Sequence, residues 1–196
     1  MKQRMEQLLL STGREGIQDL LSCMDNQGFY QAPCSSQHHL SRPSGLAEHS
    51  LNVFDYMFAT AWGIDFIRHG NTSEAIKFEP NKMSSIIITS LLHDIGKMGI
   101  DNTPHYEDNY LKDGSLSKNK PYVINKSLLN VPHEVLSLSI IERYIRLTHE
   151  ERHAILSHNG AYGALWYQIK GNETPLYMLL HFADMWASRV VEKEEK

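Results

Sequence analysis

Six side chains able to hold metal ions stand beside apolar neighbours in this chain: His49, His93, Asp94, His133, His158 and Asp184. His93 and Asp94 are adjacent, at the end of the apolar run Ile86 to Leu92, and Gly96 and Lys97 follow them. Imidazole nitrogen together with carboxylate oxygen suits divalent ions such as manganese, iron or zinc. Neighbours on a helix point about 100° apart, so the doublet can serve different ions or Asp94 can bridge two. A plainer reading stays open, a buried helix whose last turn carries a hydrogen-bonded His and a capping Asp. Taken singly, His49, His133 and His158 read as structural residues. Their joint placement changes that, because each station falls on a different predicted helix and a bundle can gather them into one core site.

The elements that must position these residues are helical. Residues 2–26 read as one or two amphipathic packing helices, broken near Thr12-Gly13, with Leu8, Leu9, Ile17, Leu20 and Leu21 inward. A Gln-, Ser-, Pro- and His-rich loop spans 27–44, and a helix then runs from Ser44 or Gly45 to about Trp62 with His49 one turn inside it. Residues 63–80 are mixed, with His69 exposed. The central helix is expected from Lys82 to Ile95, ended by Gly96 in a left-handed conformation. Within an irregular insertion over 105–131, Asp113-Gly114 signals a hairpin turn between Tyr110-Leu111 and Tyr122-Val123-Ile124. Pro132 precedes a helix from His133 to about Tyr144, and Thr148 with Glu151 forms a capping box for a helix ending at Asn159-Gly160. Thr174 and Pro175 start the last helix, which runs through Asp184 to about Val191, and a charged tail, Glu192 to Lys196, is expected to fray into solvent. The expected fold is a single all-α domain over 1–196, a helical bundle with one small β-hairpin excursion.

Composition narrows the partners. A chain of 196 residues is long enough for one core. With 19 Lys and Arg against 23 Asp and Glu, its net charge of −4 does not advertise long duplex nucleic acid. No apolar run is long enough for a membrane span or a secretory signal. Cys23 and Cys34 lack metal or redox spacing, so free thiols and a cytoplasmic setting are expected.

The series His49, His93-Asp94, His133, His158, Asp184 resembles the HD-domain superfamily of metal-dependent phosphohydrolases, over residues 30–190. Ser44 to Leu51 looks like that family's first-histidine helix, and Leu91 to Lys97 like its central doublet. Ile155 to Gly160 followed by Leu180 to Asp184 is similar to the YhaM-type 3′–5′ exoribonucleases, as is the approach from Ala32-Pro33 through His38-His39 to His49. The histidine set also fits the two-metal HD phosphodiesterases. The chain departs from these groups in having no nucleic-acid-binding barrel and no Gly-Tyr-Pro motif, and Asn159 stands where many relatives have a second histidine. The resemblance implies one ion on His49, His93, Asp94 and Asp184, and a second on bridging Asp94, His133 and His158. It implies two divalent transition metals, manganese or iron first and zinc, nickel, cobalt or magnesium as other choices.

Such a pair brings four positive charges against two carboxylates, leaving about +2 to attract phosphate. Water activated between two ions can attack phosphorus in line. The implied activity is hydrolysis of a nucleotide phosphodiester, either a short oligonucleotide or a cyclic dinucleotide. A nucleotide phosphomonoesterase or (d)NTP triphosphohydrolase is the second enzymatic reading, and a degenerate nucleotide-sensing or interaction module is the non-enzymatic one. Lys97 is the candidate non-metal phosphate ligand beside Asp94; as a helix-end lysine it could equally be solvated. Arg42, His38 and His39 lead into the first-histidine helix, and Arg42 and His39 are candidate substrate contacts. Lys112, Lys118, Lys120 and Lys126 interleave with Tyr110 and Tyr122, so Lys120 belongs either to a lid over a nucleotide or to a solvated hairpin. His181 shares a helix face with Asp184, as a core residue or a partner of a ligand. His69, His105, His149 and His153 are expected on the surface. Oligomeric state is left open.

Overall fold

The computed structural model describes residues 1–70, 80–163 and 165–193. Among them, eight α-helices and one two-stranded antiparallel hairpin form an all-α fold with a small β excursion. Helices α1 (Lys2–Ser11) and α2 (Ile17–Asn26) are the expected pair, broken at Thr12-Gly13. Met5, Leu9, Ile17, Leu20 and Met24 face the core, while Leu8 and Leu21 are only partly buried against it.

Helix α3 (Gly45–His69) begins as expected but runs past Trp62. Gly63, the one interior glycine of that stretch, costs a helix only about 1 kcal/mol relative to Ala, and helix-compatible residues follow it until Gly70 stops the element. The rest of the expectation for 63–80 falls on residues 71–79 and the His69 side chain, outside the described residues.

Helix α4 (Pro80–Leu92) is buried on all sides in its second half by Ile86, Ile87, Ile88, Leu91 and Leu92. Each such side chain stabilises by about 1.5–3 kcal/mol. The buried hydroxyls of Thr89 and Ser90 donate to the Ser85 and Ile86 carbonyls, at 2.7 and 2.6 Å, so the helix carries no polar debt here. It ends at Leu92, short of Ile95; His93 and Asp94 form a turn, and a 3₁₀ turn follows over Ile95–Met98.

Gly96 is needed for a different reason from the expected one. It is not left-handed; Gly99, at φ 101°, is. A Cβ on Gly96 would lie 2.4 Å from the His133 carbonyl oxygen and 2.9 Å from the Ser137 nitrogen. The missing side chain lets α5 (His133–Ile141) rest directly on the turn after the doublet, with the Gly96 N–H donating to Ser137 Oγ at 2.9 Å. That contact brings His133 to Asp94.

In the insertion, β1 (Tyr106–Asp108) pairs with β2 (Tyr122–Ile124), Tyr106 opposite Ile124. The turn lies at Asp113-Gly114 as expected, but the first strand lies before Tyr110, which makes only an isolated bridge to Leu116. The Tyr122 N–H donates to the Ser36 carbonyl at 3.2 Å and ties the hairpin to the loop before α3.

The remaining helices are α6 (His149–Ser157), α7 (Trp166–Ile169) and α8 (Pro175–Trp186). Thr148 and Glu151 make the expected capping box, and Thr174 caps α8 with Pro175 in its first turn. Helix α5 ends at Ile141, earlier than Tyr144. After α8 a π-helical turn, Ala187–Val191, closes with the Glu192 N–H on the Ala187 carbonyl at 2.9 Å. Glu192 does not fray into solvent. It is buried, because His49 and Asn52 hold its carboxylate. Helix α3 packs on α4 and α8, and α6 packs on α5 and α8. No helix among the described residues is long and apolar enough to cross a membrane.

Candidate metal centre

The six predicted side chains come from α3, the turn after α4, α5, the end of α6, and α8, and they meet around Asp94. Asp94 is 1% exposed, and each of its oxygens faces its own histidines. Oδ2 lies 3.6 Å from His49 Nε2 and 3.4 Å from His93 Nε2. Oδ1 lies 3.1 Å from His133 Nε2 and 3.5 Å from His158 Nε2. Asp184 Oδ1 closes the first group, 3.2 Å from His49 Nε2.

The orientation of three of the four imidazoles, His49, His93 and His158, is fixed from behind. Nδ1 of His93 meets the Ser90 carbonyl at 2.9 Å, and Nδ1 of His158 meets the Ile155 carbonyl at 2.7 Å. A carbonyl can only accept, so these nitrogens carry the protons and the Nε2 atoms present lone pairs. Nδ1 of His49 lies 2.9 Å from Glu192, and Nδ1 of His133 lies 3.3 Å from Glu134. All four Nε2 atoms therefore point into one space. His133 Nε2 and His158 Nε2 stand 3.4 Å apart, and His49 Nε2, His93 Nε2 and Asp94 Oδ1 are buried with no hydrogen-bond partner. Metal-ligating histidines characteristically use their second nitrogen in this way. Ligand atoms of His49, His93 and Asp94, of Asp94, His133 and His158, and of His93, His158 and Asp184 lie close enough to hold a metal ion. The cluster can bind metal, and its donors fit the imidazole and carboxylate chemistry of transition ions.

Charge in the cluster is strongly coupled. Burial opposes ionisation of Asp94, but Lys97 and His93 outweigh it and hold the carboxyl well below its usual range. Burial likewise pushes His49 down, yet Cys34, Asp184 and Glu192 lift it well above the ordinary imidazole value. His93 moves down, mainly through burial.

A cavity of about 150 Å³ opens from Asp94 and Asp184, walled by Lys97, Asn159, Tyr162 and Arg189 among others. Lys97 lines it with Nζ 2.6 Å from Asp94 Oδ2. His39 also lines it, with Nε2 3.4 Å from the buried Cys34 thiol, and burial holds its pKa down at about 4. Arg42 is elsewhere, paired with Glu48 at 2.6 Å on the surface. Lys120 is exposed on the hairpin and does not line the cavity. His181 is a satisfied residue: its Nδ1 meets the His158 carbonyl at 2.7 Å. Its ring occupies the space beside Gly160, where a Cβ would come within 2.4 Å of it. Of the histidines expected on the surface, His149 is exposed but His105 and His153 are half-buried, with Nδ1 atoms lacking partners. Burial, with the charge of Lys97 adding to it, brings the His105 pKa down to about 4.

Three contributors were not legible in the sequence. Glu192 reads in the sequence as part of a solvated tail, and nothing in the sequence singles out Glu134 or Arg189. Arg189 lines the cavity with its guanidinium 4.5 Å from the Tyr162 ring centre. Comparison with protein-family models, curated proteins and solved structures returns no match.

Proposed function

We propose that the protein is a metal-dependent phosphohydrolase of the HD-domain type that cleaves a nucleotide phosphodiester, a short oligonucleotide or a cyclic dinucleotide, at two divalent ions. The observation that carries the reading is the convergence of four Nε2 atoms on the two oxygens of one buried aspartate, with His49, His93 and His158 fixed from behind through Nδ1. The division of Asp94 into an Oδ2 side with His49, His93 and Asp184 and an Oδ1 side with His133 and His158 matches the ligand sets implied by the resemblance. When bound, the ions supply Lewis-acid activation of water and of the phosphoryl oxygens.

The chain supplies the rest. Asp94 and Asp184 provide the anionic ligands, and the four histidines provide neutral donors that keep the centre net positive. Lys97 and Arg189 on the cavity wall offer cationic donors to non-bridging phosphate oxygens. The cavity, about 150 Å³, is below the ~300–1,000 Å³ of pockets that enclose a whole small ligand, so it takes a phosphoryl group and leaves the nucleoside outside. Exposed Tyr162, on the cavity wall, offers a surface for base stacking.

The same narrowness favours a second reading, a nucleotide phosphomonoesterase or triphosphohydrolase. A product screen by mass spectrometry with manganese present, using cyclic dinucleotides, short RNAs, nucleoside monophosphates and nucleoside triphosphates, separates the two. Release of nucleoside 5′-monophosphates or linear dinucleotides from the diesters is expected. Nucleoside together with inorganic phosphate or triphosphate, with no diester cleaved, moves the assignment to the second reading, and no product from any substrate sinks both.

A further inference from the structure

We propose that Glu192 is a positioning residue for the metal centre: brought into the core by the π-helical turn after α8, its carboxylate accepts the Nδ1 proton of His49 and aims Nε2 at Asp94 and Asp184. This rests on the reading of His49 as a metal ligand. The Glu192 side chain is 2% exposed, and its two oxygens lie 3.1 and 2.9 Å from His49 Nδ1. Asn52 Nδ2, one turn along α3 from His49, donates to Glu192 Oε1 at 2.9 Å and fixes the plane of the carboxylate.

The π turn explains how the residue reaches this place. In an uninterrupted α-helix the eighth residue past Asp184 would point about 80° away from it, at about 100° per residue. The bond from the Glu192 N–H to the Ala187 carbonyl spans five residues, so the turn absorbs one extra residue without advancing the face. Glu192 then stands where a seventh residue would, about 20° from the direction of Asp184. Asp184 and Glu192 thereby flank opposite nitrogens of one imidazole: Glu192 is hydrogen-bonded at Nδ1 (2.9 Å), and Asp184 stands 3.2 Å from Nε2 without making a hydrogen bond to it. A carboxylate on the remote nitrogen fixes the tautomer and raises the basicity of the ligating nitrogen. An ion pair kept only for packing gives no reason for the neighbouring Nε2 to be buried without a hydrogen-bond partner, as it is.

Zinc binding to the full-length chain, measured by chelator competition, tests this on wild type, Glu192→Gln and Asn52→Ala. Circular dichroism of the metal-free proteins and long-range nitrogen–proton NMR of His49 are recorded alongside. Glu192→Gln should fold and bind zinc about 10–100-fold more weakly, with His49 sampling both tautomers; Asn52→Ala should lose roughly several-fold. Zinc affinity of Glu192→Gln within about twofold of wild type, with His49 still protonated at Nδ1, overturns the assignment. Should Glu192→Gln not fold, Asn52→Ala decides: weakened zinc binding supports the role and unchanged binding overturns it. Wild type that binds no zinc overturns the centre itself, and this role with it.

Discussion

Two clusters of buried charge in this molecule are built on opposite terms. Glu151, with a side chain fully shielded from solvent, receives both terminal nitrogens of Arg14, Ser85 Oγ at 2.7 Å and the Thr148 N–H at 2.8 Å. Arg14 in turn donates to the Arg146 carbonyl at 2.9 Å and to Ser84 Oγ at 3.1 Å. Every charge there is answered from within the chain. Around Asp94, His49 Nε2, His93 Nε2 and Asp94 Oδ1 are buried without a hydrogen-bond partner, and the Nε2 atoms of His133 and His158 stand 3.4 Å apart. An unsatisfied buried polar atom costs about 1–3 kcal/mol, and several in one place are what a cluster able to hold a metal ion would leave unfilled. Burial and charge alone do not separate a functional cluster from a structural one. Unfilled bonding capacity does.

The largest expected effect tests that contrast directly. Asp94→Asn should remove bound transition metal, as read by elemental analysis, and lower hydrolysis of bis(p-nitrophenyl) phosphate by about 10³-fold or more. Glu151→Gln, purified the same way, should keep its metal. Metal retained in Asp94→Asn breaks the comparison. Next come stabilities of the chelator-treated protein in urea. Glu151→Ala should cost about 3–5 kcal/mol, since Arg14, with a side chain 22% exposed, loses its partner. His93→Leu, which removes an unpartnered buried Nε2 along with the Nδ1 bond to the Ser90 carbonyl, should change stability by no more than about 1 kcal/mol or raise it. Equal losses at the two positions would show that both clusters are structural.

Acid should act on the answered cluster through Glu151, and the carboxyls around Asp94, also held low, add their own acid loss. Burial alone would lift the Glu151 carboxyl, but Arg14, Ser85 and the Thr148 N–H outweigh it and hold it below the usual range. A carboxyl lowered in the folded state contributes fully above its unfolded value of about 4.3 and loses that contribution as pH falls through the folded one. Urea denaturation from pH 7 downward should show this acid loss in the metal-free wild type, and Glu151→Gln should lack that component. The smallest effect belongs to Thr148→Ala, about 1 kcal/mol from loss of the acceptor for the Glu151 N–H.

The parts legible in the sequence were those governed by local rules. Thr148 with Glu151, and Thr174 with Pro175, announce helix starts through side-chain reach, and both are as expected. The convergence of His49, His93, Asp94, His133, His158 and Asp184 was legible because few soluble folds leave those types beside apolar neighbours on separate helices without a use for them. What failed depended on tertiary contact. Gly96 has a local explanation that is wrong and a distant one, the backbone of α5, that is right. Glu192 lies in a charge-rich stretch, and only a one-residue slip in helix register turns it inward. Glu151 was visible as a cap, while its second role with Arg14 spans nearly the whole fold.

Because its donors would be shared among α3, the turn after α4, α5, α6 and α8, an ion held at Asp94 would rivet those segments together. Amide hydrogen exchange in those five segments should slow together on metal loading, while α1 and α2, which lend no donor, keep their own pace.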